Sequence, residues 1–507
     1  MTLTCVIRSS LLYRSLSLVC HAVSKYWDSS YTRKKLCTLP SYSTSRAIQG
    51  SIIFRAVSFL ISLALKPLVA LGSFLRPAVS GSLLLNQNLP VVMAESSVIK
   101  AISGVRVETA LWMVIFYPVV DYLMRKVAPG FLSGSWDELL LLFLVSAWPV
   151  QMALRGKINY NHTGLDIPII IYIGISLFLF FMRSPNTSLA LEGLRVYLEY
   201  LLWFFVGSNL LVNHRQFSAL MKGIVAVAVM VSAVGVIQYV LGVEMPAHWV
   251  DQAEEGIKTR VFSIVTSPNV LGSLLLIFIP VTLGHLLTSS GRAKRFIYAA
   301  ALCLMLACMV FTYSRGAWLA LAGSMAILSL MYNPRLIVAL GAGSLAAVQL
   351  APGIGARLSY MFSSAYIASS QKAGRLALWQ KGLDKLLQDP LFGSGFGTYG
   401  GAVAARRIPG SVYTDNFYLK TAVESGLIGL LALLWLLAGA FRCGYTAYRK
   451  LTDSYSRTMA AALITGLLGV ALHNSVENIF EVPMMATYFW FLFGVLLSLP
   501  HIEGSDG

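Results

Sequence analysis

Polar side chains able to do chemistry collect in this chain at the ends of long apolar runs. Arg260 and Asn269 precede one such run, Ser314 and Arg315 separate two others, and Arg195 lies at the end of another. Asp415 and Asn416 open a further run, and His473, Asn474, Glu477 and Asn478 close the next. Guanidinium groups match phosphate oxygens in geometry as well as in sign. A lipid pyrophosphate would place its head among such arginines and its tail between helices. Transfer of a sugar from it needs a side chain to take the acceptor's hydroxyl proton. Arginines would meanwhile stabilise the departing pyrophosphate. Asp415, Glu424 and His473 are the available bases; Arg195, Arg260, Asn269, Arg315 and Asn416 are candidate binding residues.

Plainer roles stand beside these. Arg315 can anchor a helix at the membrane interface next to Trp318. Arg260 can be an ordinary loop residue. His473 and Glu477, four apart, would share a helix face as a structural pair. Asp415 would serve as a helix N-cap, a role compatible with catalysis.

The elements that position these residues follow from composition. Of 507 residues, 57% are hydrophobic and only 12% charged, against roughly 25% charged in soluble domains. The chain is therefore expected to be an all-α polytopic membrane protein. About twelve spans are expected, near 107–124, 138–154, 167–182, 196–212, 223–242, 270–288, 296–312, 316–332, 336–353, 417–441, 458–476 and 484–500. The formal net charge of +17 resides in loops and suits anionic lipid rather than nucleic acid. Residues 1–100 hold eleven lysines and arginines against Asp28 and Glu95, which assigns that end to the cytoplasm. Short inner loops then carry 12 basic residues in 48 positions and outer ones 7 in 63.

On this map every candidate above falls on the outer side. The expected divisions are a basic cytoplasmic region at 1–106, spans one to nine at 107–353, a long extracytoplasmic loop at 354–416, spans ten to twelve at 417–500 and a tail at 501–507. Residues 51–79, interrupted by Arg55, Lys66, Pro67 and Arg76, are expected to lie on the membrane as an amphipathic helix, the alternative being a thirteenth span. Gly374–Leu387 in the long loop is expected to be helical and to stop at Asp389-Pro390.

Other chemistries have little support. Six scattered cysteines without a CxxC predict neither a disulfide framework nor a metal cluster. Arg8 and Arg14 interrupt the apolar core that a cleaved signal would need. Gly395-Phe-Gly-Thr-Tyr-Gly400 has the form GxGxxG but follows no strand; flexibility or close approach to a substrate accounts for it better. No P-loop, HExxH or GxSxG occurs.

Four segments in order resemble the O-antigen ligase and O-antigen polymerase family of bacterial envelope proteins. They are Arg260-Val-Phe-Ser with Ser267-Pro-Asn-Val-Leu-Gly272; Tyr313-Ser-Arg-Gly-Ala-Trp-Leu-Ala-Leu321; Gly374-Arg-Leu-Ala-Leu-Trp with Asp389-Pro-Leu-Phe-Gly-Ser-Gly-Phe-Gly397; and Asp415-Asn416, nine residues, then Gly426-Leu-Ile-Gly429. The resemblance implies a GT-C-like glycosyltransferase architecture in the bacterial inner membrane. It also implies undecaprenyl-pyrophosphate-linked oligosaccharide as donor and an inverting transfer without metal or other cofactor. Arg260, Arg315 and Arg375 would grip the pyrophosphate. A flippase and a chain-length regulator are the implied assembly partners, with membrane lipids around the chain. Family ligases begin the last motif with His where this chain has Asp415, which favours a polymerase of O-antigen, capsular, exopolysaccharide or teichuronic-type repeats over a ligase. A lipid-linked oligosaccharide transporter and a non-catalytic assembly subunit are the readings from other classes.

Overall fold

The computed structural model describes residues 104–505, apart from 156–159, 247–258, much of 333–358 and the single positions 212, 266 and 373. The expected surface helix at 51–79 and most of the expected span at 336–353 lie outside the described residues. Among the described residues the chain is helical, without a strand. Eight helices among the described residues are long and apolar enough to cross a membrane, so the chain is a polytopic all-α membrane protein.

In order the helices are α1 Gly104–Ile115, α2 Tyr117–Val127, α3 Gly130–Arg155, α4 Asp166–Met182, α5 Thr187–Leu198, α6 Leu202–Leu210, α7 His214–Leu241 and α8 Pro268–Thr288. They continue as α9 Arg292–Phe311, α10 Arg315–Tyr332, α11 Ser364–Lys372, α12 Arg375–Leu386, α13 Ala402–Arg407, α14 Phe417–Lys450, α15 Ser454–His473 and α16 Pro483–Ser505.

Two expected spans are built differently. The run at 107–124 is broken at Phe116 into α1 and α2, bent by 90°. Pro118 sits in the first turn of α2, where its missing N–H costs nothing but its ring cannot continue the preceding helix. Asp121 is held there by Arg125 Nε at 2.8 Å and Trp136 Nε1 at 3.2 Å. The run at 196–212 is the end of α5, a 3-10 turn at Glu199–Leu201, and α6. A third difference concerns His473: α15 ends there, so the four-residue spacing to Glu477 does not put the two on one helix face.

The chain divides into two compact units. Among described residues the first comprises 235–377 and 448–473, and the second 104–234, 378–447 and 474–505. In the first, α8 is the buried centre, flanked by α9, α10 and α15. Ser267 caps α8 by accepting from Asn269 N at 3.2 Å, with Pro268 opening the helix, the preferred arrangement for a helix start. Gly466 brings α15 onto α8 so closely that a Cβ there would lie 2.9 Å from Ile277 Cα. Between apolar helices in lipid, small residues of this kind supply the packing that water would otherwise drive. In the second unit, α6 and α16 approach through a reciprocal pair: a Cβ on Gly207 or on Gly494 would stand 2.2 Å from the carbonyl oxygen of Phe491 or Phe204.

Within the long loop, α12 runs over Arg375–Leu386, within a residue of the expectation at each end. The loop is otherwise a set of turns around α11 and α13.

Candidate functional site

In the first unit, four helix ends bring the polar residues together. Arg260 lies before α8 and is buried. Its Nε donates to the Thr312 carbonyl at 3.0 Å and its Nη2 to Asn269 Oδ1 at 3.0 Å. Thr312 belongs to the turn that joins α9 to α10, so the Arg260 guanidinium is tied to the segment from which Arg315 emerges. One turn beyond Asn269, Ser273 Oγ meets His473 Nδ1 at 2.6 Å. The first turn of α10 closes against this part of α8, where a Cβ on Gly272 would lie 2.7 Å from Ala317 Cβ. Arg260, Asn269, Ser273 and His473 thus line one end of the unit, beside Arg315.

Arg315 is partly buried under two rings. Its guanidinium carbon lies 4.8 Å from the Tyr366 centroid and 5.9 Å from that of Tyr360, within cation–π range. Trp318, the expected partner at the interface, instead donates Nε1 to the Met309 carbonyl at 2.9 Å. Arg357, also buried, stacks over Tyr313 at 5.7 Å. Arg375 opens α12, and its charge lies within Coulombic range of His473.

Two residues here have left-handed backbone: Ser263 at φ 55° and Tyr313 at φ 50°. The third such non-glycine residue among those described is Asp415, at φ 49°. All three fall within sequence segments singled out for chemistry. Conformations of this kind cost about 1–3 kcal/mol and persist only where surrounding contacts over-determine them.

In the second unit those contacts are explicit around Asp415. Thr414 N donates to the Gly400 carbonyl at 3.0 Å, and Trp379 Nε1 donates to the Thr414 carbonyl at 3.0 Å. Asn416 N donates to Asn478 Oδ1 at 3.1 Å, and Phe417 N to the Asn474 carbonyl at 2.9 Å. The cap of α14 is Asn416, whose Oδ1 accepts from Leu419 N at 2.9 Å. The cap role offered to Asp415 therefore belongs to its neighbour, because the left-handed turn places Asn416, not Asp415, three residues before the amide that needs an acceptor.

One turn into α14 stands a buried ion network that the sequence reading did not contain. Lys420 Nζ lies 2.7 Å from Glu424 Oε2, 3.3 Å from Glu481 Oε1 and 2.9 Å from the Tyr197 hydroxyl. Tyr197 in turn donates to Glu424 Oε2 at 2.8 Å. Glu424 Oε1 accepts from Tyr399 N at 3.2 Å, and Glu481 Oε2 from Ala402 N at 3.2 Å. The Lys420 side chain is 2% exposed, that of Glu424 0% and that of Glu481 4%. Burial pushes the Glu481 carboxyl above its ordinary value, while Lys420 pulls it back. The i,i+4 spacing of Lys420 and Glu424 was legible in the sequence; Tyr197 and Glu481, far away along the chain, were not.

The glycine-rich segment belongs to the same unit. Pro390–Gly395 inserts into a break in α14: Ser394 N donates to the Val423 carbonyl at 2.8 Å, Gly395 N to that of Glu424 at 2.9 Å, and Leu427 N to that of Pro390 at 2.8 Å. The break is at Gly426, with φ 67° and ψ −176°, a conformation open in practice only to glycine. Gly397, at φ 74°, rests against the Leu189 carbonyl and Gly193 of α5. Close approach is thus what these glycines serve, but the partner is the protein's own backbone. Two of the motif segments, at Asp389 and at Asp415–Gly429, are interlocked by these bonds.

Arg195 is engaged by carboxylates, Glu138 and Glu199. Among the described residues no group of three or more His, Cys, Asp or Glu is placed to hold a metal ion; Cys303, Cys308 and Cys443 are free thiols.

Fold and site thus define a multi-pass α-helical membrane protein with arginine-rich and carboxylate-bearing helix ends. Residues 300–434 match the family model described as O-antigen ligase, which supports the O-antigen ligase/polymerase family and a role in membrane glycan assembly. The matched stretch contains the Tyr313, Gly374–Gly397 and Asp415–Gly429 segments; the Arg260–Gly272 segment lies before it. No curated protein matches the chain.

Proposed function

We propose that the protein is an inverting, metal-independent glycosyltransferase that polymerises undecaprenyl-pyrophosphate-linked repeat units on the outer face of the bacterial inner membrane. The observation that carries this reading is the Arg260 guanidinium, buried and locked by Thr312 and Asn269 to the turn that leads into Arg315. Two arginines held near one turn at a helix end suit a diphosphate, because each planar guanidinium can donate paired N–H bonds to its phosphoryl oxygens. They would stabilise the charge that develops as the glycosyl bond breaks.

Asp415 is the proposed base. It takes the acceptor hydroxyl proton as that oxygen attacks the anomeric carbon and the lipid pyrophosphate departs, so the configuration inverts. Its left-handed backbone, held by Thr414, Asn416 and Phe417, fixes the carboxylate's origin on a rigid turn. His473, bonded to Ser273, and Arg375 belong with the pyrophosphate group as positioning residues. Arg195 and Glu424 are assigned to structure, because each is held by charged partners. The family description, O-antigen ligase, favours a second reading, transfer of the whole lipid-linked glycan to another acceptor.

Reconstitution of the purified chain with a lipid-linked repeat unit tests both. A ladder of lengthening glycans is the expected result. Single transfer to a different acceptor would establish the ligase reading, and no transfer with a competent donor and acceptor would defeat both.

A further inference from the structure

The start of α7 carries a second charged groove. Its walls are α1, with Phe116 beyond it, and the first turns of α7, all within the second unit. Trp112 and Phe116 face His214, Arg215, Ser218, Ala219, Lys222, Gly223 and Ala226 across a groove of about 660 Å3. The floor is small by design of the sequence: Ser218, Ala219, Gly223 and Ala226 repeat at helical spacing. A Cβ on Gly223 would stand 2.4 Å from the Trp112 ring.

The charge is one-sided. Arg215 and Lys222, two turns apart, are exposed, and neither makes an ion pair among the described residues. Among the described residues no carboxylate lines the groove. Glu108 from α1 is hydrogen-bonded to Gln216 at 2.8 Å. From His214 to Ala226 the groove follows thirteen residues of helix, twelve steps or about 18 Å at 1.5 Å per residue. Since α7 is long and apolar enough to span the bilayer, its first turn lies at a membrane surface and Ala226 lies within the hydrocarbon. A free anion would need only the first turn. An amphiphile with a phosphate head and an acyl chain uses the whole length.

We propose that this groove is a binding site for an anionic glycerophospholipid. Its phosphate sits between Arg215 and Lys222, and one acyl chain lies along Ala219, Gly223 and Ala226 against Trp112. Lys222 reaches the phosphate by extending its stem along the helix toward the surface. With no carboxylate among the described lining residues, and Glu108 beside them already hydrogen-bonded to Gln216, the groove favours an anionic head over a zwitterionic one.

The test uses the purified full chain, exchanged into detergent with equimolar phosphatidylglycerol and phosphatidylcholine, and mass spectrometry of the lipid retained after washing. The wild type should retain phosphatidylglycerol in preference by on the order of tenfold. R215Q/K222Q should bring the ratio close to one, whereas R292Q/K294Q, which removes two cations at the start of α9, should leave it unchanged. Elution on gel filtration as the wild type does confirms that the variant is folded. Equal retention of the two lipids by the wild type would overturn the proposal. So would an unchanged preference in R215Q/K222Q, or full displacement by inorganic phosphate at matched concentration, which would mark a simple anion site.

Discussion

Lys420→Met tests whether the ion network beneath Asp415 holds the start of α14 in place. The side chain is 2% exposed and its ammonium faces two carboxylates and a phenol. Methionine fills most of the same volume but removes the only cation among these contacts. Glu424 and Glu481 would then be left as two buried acids beside each other. Breaking a buried pair by deleting one partner costs about 3–5 kcal/mol, because a desolvated charge is left uncompensated. Glu424→Gln in the same background removes half of that excess charge while keeping an acceptor for Tyr399 N and an amide that can donate to the Tyr197 hydroxyl. The double variant should therefore be more stable than Lys420→Met alone, with a coupling of about 1–3 kcal/mol. Reversible denaturant unfolding of the purified protein in mixed micelles measures all four corners of the cycle. A cost below about 1 kcal/mol for Lys420→Met, or strict additivity of the two substitutions, would refute the reasoning.

Further outcomes follow from the same geometry. Arg260→Ala should lower turnover by on the order of 10²–10³ while the protein still inserts; full turnover would remove Arg260 from the pyrophosphate site. Asp415→Asn keeps a residue that tolerates left-handed backbone and changes only the carboxylate. It should slow transfer by about 10²–10⁴ with donor binding intact, and a loss of binding instead would assign Asp415 to structure. Gly426→Ala would place a Cβ 2.0 Å from the Leu391 carbonyl oxygen; it should expel the 390–395 segment from α14 and make it sensitive to protease, and unchanged resistance would show that the break can be filled. The Glu481 carboxyl is raised above 4.5, first by burial, so the fold favours its protonated form. Its contribution to stability is full below pH about 4.5 and is lost as pH rises through the folded value. The stability of Glu481→Gln relative to the wild type should accordingly increase with pH across that window; a flat or falling difference would count against burial as the dominant cause.

Much of the architecture was written in the hydropathy pattern, since a helix crossing hydrocarbon needs about twenty apolar residues whatever it packs against. The helix at 375–386 was a local signal too, since its periodicity and its stop at Asp389-Pro390 involve neighbours a few residues away. The break at Phe116 was less legible, because a bend of 90° is decided by what the two halves can bury. Likewise, the likeness of residues 313–321, 374–397 and 415–429 to one family was present in the residues before any coordinates.

Pairing across the chain was settled only in three dimensions. The sequence offered Glu424 as a base and Arg195 as a phosphate ligand because ionisable groups near membrane helices are functional candidates by default. The folded chain surrounds Glu424 with Lys420 and Tyr197 and sets Arg195 against Glu138 and Glu199. Lys420 and Glu199 are i,i+4 neighbours of Glu424 and Arg195, but Tyr197 and Glu138 come from elements distant in sequence, so no spacing rule reveals them. The glycines from Gly393 to Gly400 likewise announced close approach to something. Only the fold identified it as the broken backbone of α14 for Gly393, the chain leading into and along α5 for Gly395 and Gly397, and Thr414 for Gly400, since which surface a glycine admits depends on what tertiary packing brings within van der Waals reach.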